Sequence, residues 1–191
     1  MKALHQRIFD RLRDGIPGVH KGWRTPWGPK DQKVLPLRDA DRPEIDAWVK
    51  RLKADISHDD EIDAPVFNGH PETGGDIRLI PKYRYVSPDE YYHSVFHELT
   101  HWTGFHTRLD RMPRTSFEAR LQGKEGKVLE EMVAEFGAAF LLGEFGLKGQ
   151  SDRNVEYLAP LADALEMSLP AFEAAADEAS KAVDYLMDLA A

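Results

Sequence analysis

Two histidines four residues apart with a glutamate between them, His97-Glu98-Leu99-Thr100-His101, constrain this chain more than any other feature. A helix turns about 100° per residue, so residues i and i+4 project from one face about one turn apart, and two imidazoles placed there can share one tetrahedral ion. Glu98 then flanks the remaining coordination position, where a carboxylate can take a proton from an activated water and hand it to a leaving amine. The spacing predicts a helix that carries a hydrolytic metal site, with His97 and His101 as ligands and Glu98 as general base and then acid. Zn2+ is the expected ion, with Mn2+ or Co2+ as alternatives.

The flanking residues support a helix. Ser87-Pro88-Asp89-Glu90 reads as its start, with Ser87 as N-cap, Pro88 at the first helical position and Glu90 placed to complete a capping box. The helix should run to about Thr103, and Gly104 follows as a natural residue for a left-handed C-terminal turn. Val95, Phe96 and Leu99 give it an apolar flank, which predicts a packed helix.

A catalytic site needs a third ligand. His93 lies on the same face, but about 12 Å of helix rise separates it from His101, so His93, His97 and His101 cannot all reach one ion. His106 is a second candidate, because His97 to His106 approaches the pattern HExxHxxGxxH with the last His one residue early. The third is the acidic cluster Glu130-Glu131-Met132-Val133-Ala134-Glu135. On a helical wheel Leu129, Val133, Phe136 and Phe140 share one side, while Glu131 and Glu135 point together to the other, near Ala134 and Ala138. Small residues beside two stacked carboxylates let another helix approach. One carboxylate can ligate the ion while the other accepts the free N–H of a ligand histidine. We assign Glu131 as third ligand and Glu135 as orienter, with the reverse as the alternative; Glu130 falls at the margin of the apolar face.

The runs from Tyr91 to Gly104, Arg108-Leu109-Asp110-Arg111 and Glu130 to Glu135 together resemble the zincin-like metallopeptidase domain of ArdC-type antirestriction proteins, a domain also found in phage and plasmid polyvalent proteins. Gly75 to Pro81 is similar to the family's strand before the motif helix, and Ala179 to Leu186 to its closing helix. The likeness covers about residues 60 to 189. It implies a soluble bacterial protein with a gluzincin-like HExxH-plus-Glu metal site, which hydrolyses peptide bonds of a protein or peptide partner; the lack of cysteine and of a secretory apolar stretch near Met1 makes the cytoplasm the expected compartment. Full-length members also carry an N-terminal domain that binds single-stranded DNA. Tyr157, in Asn154-Val155-Glu156-Tyr157, is the candidate donor to a tetrahedral oxyanion.

Charge divides the chain. Residues 1–57 carry a balance of +5 and the remainder −13, an asymmetry that can mark a nucleic-acid-facing segment on an acidic body. Trp23, Trp27 and Trp48 alternate with Lys21, Arg24, Lys30 and Lys50, and aromatic platforms beside cations are what single-strand binding uses. The expected organisation is a basic arm over 1–57, a possible remnant of a single-stranded-DNA-binding domain, and a metallopeptidase domain over 58–191. Leu4 to Leu12 reads as a short helix and Gly15 to Pro36 as a Gly/Pro-rich connector.

The expected fold class is α+β: a mostly helical zincin-like fold with a small β-sheet beside the motif helix. A helix is expected over Arg42 to Ile56, and β-structure over Val66 to Tyr85. Gly143 and Gly146 should end the acidic helix, with further helices over about Val155 to Met167 and Leu169 to Leu189, the latter capped by Ser168. There is no cysteine, so disulfides are excluded, and no run is long enough to cross a bilayer. Two other functions remain open on the sequence: a single-stranded-DNA- or protein-binding antirestriction module whose metal is structural, and a regulatory protease that cleaves a repressor.

Overall fold

The computed structural model describes residues 42–70, 72–85, 87–113, 116–147 and 169–191. The expected N-terminal helix and connector, Trp23 and Trp27, the helix near 155–167, Ser168 and Tyr157 lie outside the described residues.

Helix α1, Pro43–Arg51, begins with proline at its first turn, carries Glu44 and Asp46 there and Lys50 and Arg51 at its end, and so complements its own dipole at both ends. It stops five residues before the Ile56 expected from the sequence. Lys53 adopts a φ of 55°, which turns the chain into strand β1, Asp55–His58. The strand escapes the sequence reading because it is four residues long and mostly exposed, without the buried alternation that betrays a strand.

Strands β2, Val66–Asn68, and β3, Asp76–Leu79, lie within the expected β region. The sheet is mixed, in the order β1-β3-β2. β1 runs parallel to β3 with Ile56 opposite Ile77, and β2 runs antiparallel with Phe67 opposite Ile77. Ile77 and Leu79 are buried while Arg78 between them is exposed, the period-2 pattern of a half-buried strand. Gly75 makes the return from β2 possible. Its φ is 90°, and a Cβ there would come within 2.6 Å of the Phe67 ring.

Helix α2, Pro88–Thr103, has the expected bounds, and Ser87 Oγ accepts a hydrogen bond from the Glu90 amide at 3.2 Å. Its C-terminus differs from expectation. Gly104 is right-handed, with φ −71° and ψ −11°, so conformational freedom is not why glycine stands there. The reason is space: a Cβ would meet Arg111 Nη2 at 2.9 Å and Glu130 Oε1 at 3.1 Å. After α2 the chain is held by Arg108, which donates to the carbonyls of Trp102 and Gly74 and lies over the Trp102 ring, 4.0 Å from its centroid.

Helix α3, Ser116–Glu144, crosses α2, and helix α4, Leu169–Leu189, packs against both. The main core gathers Ile45, Trp48 and Leu52 from α1, Ile77 and Leu79 from β3, Tyr92, Phe96 and Leu99 from α2, Ala138, Leu141 and Leu142 from α3 and Leu186 from α4. Phe96 is fully buried between Trp48 and Phe145, at ring-centroid distances of 6.0 and 5.5 Å. Burying such a side chain is worth about 1.5–3 kcal/mol. Trp48 thus serves the core, and its ring is no platform for a nucleic-acid base. A smaller cluster joins Met132, Val133 and Phe136 of α3 to Ala175 and Ala179 of α4. The apolar stripe read along α3 is only half buried: Leu129 and Phe140 at its two ends are 37% and 39% exposed, because α4 covers the middle of α3.

Candidate metal centre

The helix period places His97 and His101 on one face of α2, and α3 lays Glu131 across them. His97 Nε2 and His101 Nε2 are 3.1 Å apart, and Glu131 Oε2 lies 3.5 Å from the first and 3.8 Å from the second. Among the described residues, these three offer ligand atoms within 4.8 Å of one another. Ligands on a tetrahedral ion at metal–ligand distances of 2.0–2.1 Å stand about 3.3 Å from each other, so the spacing matches one shared ion.

The outer ring nitrogens explain why the inner ones face each other. His97 Nδ1 lies 3.1 Å from Glu135 Oε1, and His101 Nδ1 lies 3.2 Å from Glu130 Oε1. Each carboxylate can accept a hydrogen bond from Nδ1–H, and in the neutral tautomer that makes this bond the Nε2 lone pairs converge on one point. At 3.1 Å a proton on one Nε2 bridges the pair as a hydrogen bond, and a divalent ion would take the place of that proton. The donor set, two imidazoles and a carboxylate, suits a borderline divalent ion.

Helix α3 approaches this closely because its facing residues are small. Ala134 and Ala138 are fully buried, as the sequence suggested, but the tightest point is Gly137, which passes directly over Thr100. Successive residues of α3 then fan out across the histidines: Glu130 to His101, Glu131 between the two, Glu135 to His97. Glu135 also lies 3.1 Å from His93 Nε2 through its second oxygen. His93 accordingly stands one step behind the cluster. His106 is not part of it; its ring packs on Phe105, 4.2 Å between centroids.

Electrostatics follow from burial opposed by these pairings. Burial disfavours charge on His97, yet its hydrogen bonds to Glu131 and Glu135 dominate and hold its pKa well above the ordinary value. His101 is likewise raised by Glu130 and Glu131 against burial. Burial opposes ionisation of Glu131 and Glu135, but the facing histidines outweigh it and hold both carboxyls far below their usual range. Burial opposes ionisation of Glu130 as well, but His101 and Arg111 together outweigh it and lower its pKa. Glu98 behaves differently. It is 6% exposed and burial pushes its pKa up, against the attraction of His97 and His101 and a backbone hydrogen bond with Phe67 of β2.

Sequence reasoning passed over two residues here, Glu130 and Arg111. On the sequence Glu130 falls at the edge of an apolar face, and Arg111 stands in a run with no chemistry of its own. Arg111 donates to both oxygens of Glu130, at 3.0 and 3.2 Å. No periodicity links positions 19 residues apart across a turn.

Comparison with known proteins agrees with this architecture. A family model described as zincin-like metallopeptidase, MPTase-PolyVal, matches residues 43–178. The crystal structure of the antirestriction ArdC protein from the R388 plasmid in its Mn(II)-bound form is similar with a TM-score of 0.62 and 33% identity, covering 84% of this chain and 55% of that one. Its metal-free form gives 0.60 and 29% identity, covering 93% and 57%. A DNA primase TraC of Escherichia coli is 38% identical over 112 residues, 58% of this chain and 10% of the primase, and a second is 36% identical over 112 residues, 7% of its length. The chain therefore spans a tenth or less of these curated relatives and little more than half of the solved ones. With a family model matched over most of its length and an HExxH helix crossed by an acidic one, the chain belongs to the zincin-like metallopeptidase family.

Proposed function

We propose that the chain is a metal-dependent peptidase of the antirestriction-associated type, hydrolysing peptide bonds of a protein partner in the bacterial cytoplasm. The observation that carries this reading is the division between two kinds of carboxylate. Three are held ionised against histidines, whereas Glu98, buried beside the same pair, has its proton affinity raised. A purely structural metal site has no use for that fourth carboxylate.

In this reading His97 Nε2, His101 Nε2 and Glu131 Oε2 hold the ion, Zn2+ or, as in the ArdC structure, Mn2+. The ion supplies Lewis acidity, which polarises a carbonyl and makes a water acidic. Glu135 and Glu130 keep the imidazoles in the tautomer that presents Nε2. Glu98 takes the proton from water and returns it to the leaving amine, a two-way role that suits a carboxyl whose pKa burial has raised. Strand β2 is an edge of the described sheet, and its backbone bonds to Glu98. An extended peptide can pair with that edge beside the general base. Tyr157 stays the proposed oxyanion donor.

The rival is an antirestriction module that binds single-stranded DNA or protein around a structural metal; the names of the ArdC and primase relatives support a DNA setting. Glu98→Gln separates the two. It should keep stoichiometric metal and the melting temperature while lowering cleavage of a proteome-derived peptide library, read by mass spectrometry, by about 10²–10⁴-fold. In cells, protection of unmodified DNA from restriction should fall equally in Glu98→Gln and His97→Ala. Protection that survives Glu98→Gln but not His97→Ala would overturn catalysis in favour of binding.

A further inference from the structure

We infer that Arg111 is a positioning residue of the metal centre: it locks Glu130 onto His101 and thereby ties the ligand geometry to the segment that follows α2. The inference rests on the reading of His97, His101 and Glu131 as the donor set.

All three guanidinium nitrogens of Arg111 donate hydrogen bonds. Its side chain is 8% exposed. Nη2 donates to the Thr100 carbonyl at 2.8 Å and to Glu130 Oε1 at 3.0 Å, Nη1 to Thr103 Oγ1 at 3.0 Å, and Nε to Glu130 Oε2 at 3.2 Å. It thus engages the last turn of α2 and grips Glu130 of α3 with two parallel bonds, a geometry that a planar fork can make and an ammonium cannot. Glu130 Oε1, held by Arg111, is the same oxygen that faces His101 Nδ1. The rotation of the His101 ring is therefore set by a chain of three side chains, the last of them borne by the segment between the two helices.

His97 is held by a different arrangement. Its carboxylate, Glu135, is shared with His93, and among the described residues no guanidinium bonds to it. The two ligand histidines are supported unequally, and His101 depends on a permanent cation.

Gly104 gives an independent sign that the clamp occupies its space by necessity. A Cβ at 104 would come within 2.9 Å of Arg111 Nη2 and 3.1 Å of Glu130 Oε1. Its right-handed backbone accepts alanine without strain, so the methyl group would displace the clamp without touching a ligand.

The test uses the full chain, stripped of metal and titrated with Co2+, with affinity read by calorimetry and coordination by visible absorption. Arg111→Lys and Gly104→Ala should each keep a cooperative melt in the metal-free state yet bind Co2+ about 10–100-fold more weakly, with an altered ligand-field spectrum at saturation. A merely structural ion pair would lower the melting temperature and leave the saturated spectrum unchanged, which overturns the proposal, as do wild-type affinity and spectrum in both variants. Should Arg111→Lys fail to fold, Gly104→Ala decides alone. A wild-type chain that takes up no Co2+ overturns the donor set itself, a result distinct from variants that bind like the wild type.

Discussion

Gly137 of α3 crosses Thr100 of α2 with no room for a methyl group: a Cβ at position 137 would lie 2.6 Å from Thr100 Cγ2 and closer still to its hydroxyl. This contact sets the distance at which the acidic helix meets the histidine helix. Gly137→Ala should therefore act as an overpacking substitution, costing about 1–3 kcal/mol and lowering the melting temperature by several degrees. It should also weaken metal binding, because it lifts Glu131 away from the histidines. Thr100→Ala in the same chain should restore part of both losses. A thermal melt and a metal titration of the single and double variants check this; a single variant that melts and binds like the wild type would show that the helices can part freely.

The neighbouring carboxylates on α3 should separate by their effect on the metal. Glu131→Ala removes the oxygen that faces both Nε2 atoms and should lose most metal affinity. Glu135→Ala removes the partner of His97 Nδ1 and should cost about 10–100-fold. His97→Ala and His101→Ala should abolish stoichiometric metal, and His106→Ala, whose ring packs on Phe105, should retain it fully. Elemental analysis of the purified variants gives the answer, and a Glu135→Ala loss larger than that of Glu131→Ala would reverse the assignment.

Acidity should act oppositely on the metal-free and loaded states. His97 and His101 have folded pKa values raised above their ordinary 6.5, so the stability they contribute without metal is complete below 6.5 and is lost as pH rises through the raised values. Glu130, Glu131 and Glu135 are depressed below 4.5, so theirs is complete above 4.5 and lost as pH falls through the lowered values. These five groups contribute most between about pH 4.5 and 6.5. Glu98, raised by burial, costs stability as pH climbs above 4.5, so the metal-free protein should melt highest toward the acidic side of that window. Metal binding requires both rings to be neutral at Nε2, so affinity should rise with pH across the range where the histidines give up their protons. Melting curves with and without Co2+ at a series of pH values check both signs: the stabilisation by metal should grow as pH increases, and a pH-independent gain would count against the histidines as ligands.

What the sequence determined by itself was local. The bounds of α2 follow from Ser87, Pro88 and the run of helix-compatible residues up to Thr103, and its geometry brings His97 and His101 together because 3.6 residues make a turn. Resemblance at the same motifs pointed to the zincin-like fold that the structure and the family match share. β1 escaped because Asp55-Ile56-Ser57-His58 has no pattern of its own, and it becomes a strand only by pairing with β3. The Gly104 turn was misjudged for a similar reason: glycine there answers a steric demand from Arg111 and Glu130, residues remote in sequence. Glu131 and Glu135 could be separated from the apolar stripe on a helical wheel, but a wheel does not say how far α3 is rotated about its axis relative to α2. That rotation is settled by Gly137 over Thr100 and by the Arg111 clamp. It places Glu130 on His101, because which side chain meets which across two helices depends on their packing and not on the spacing within either.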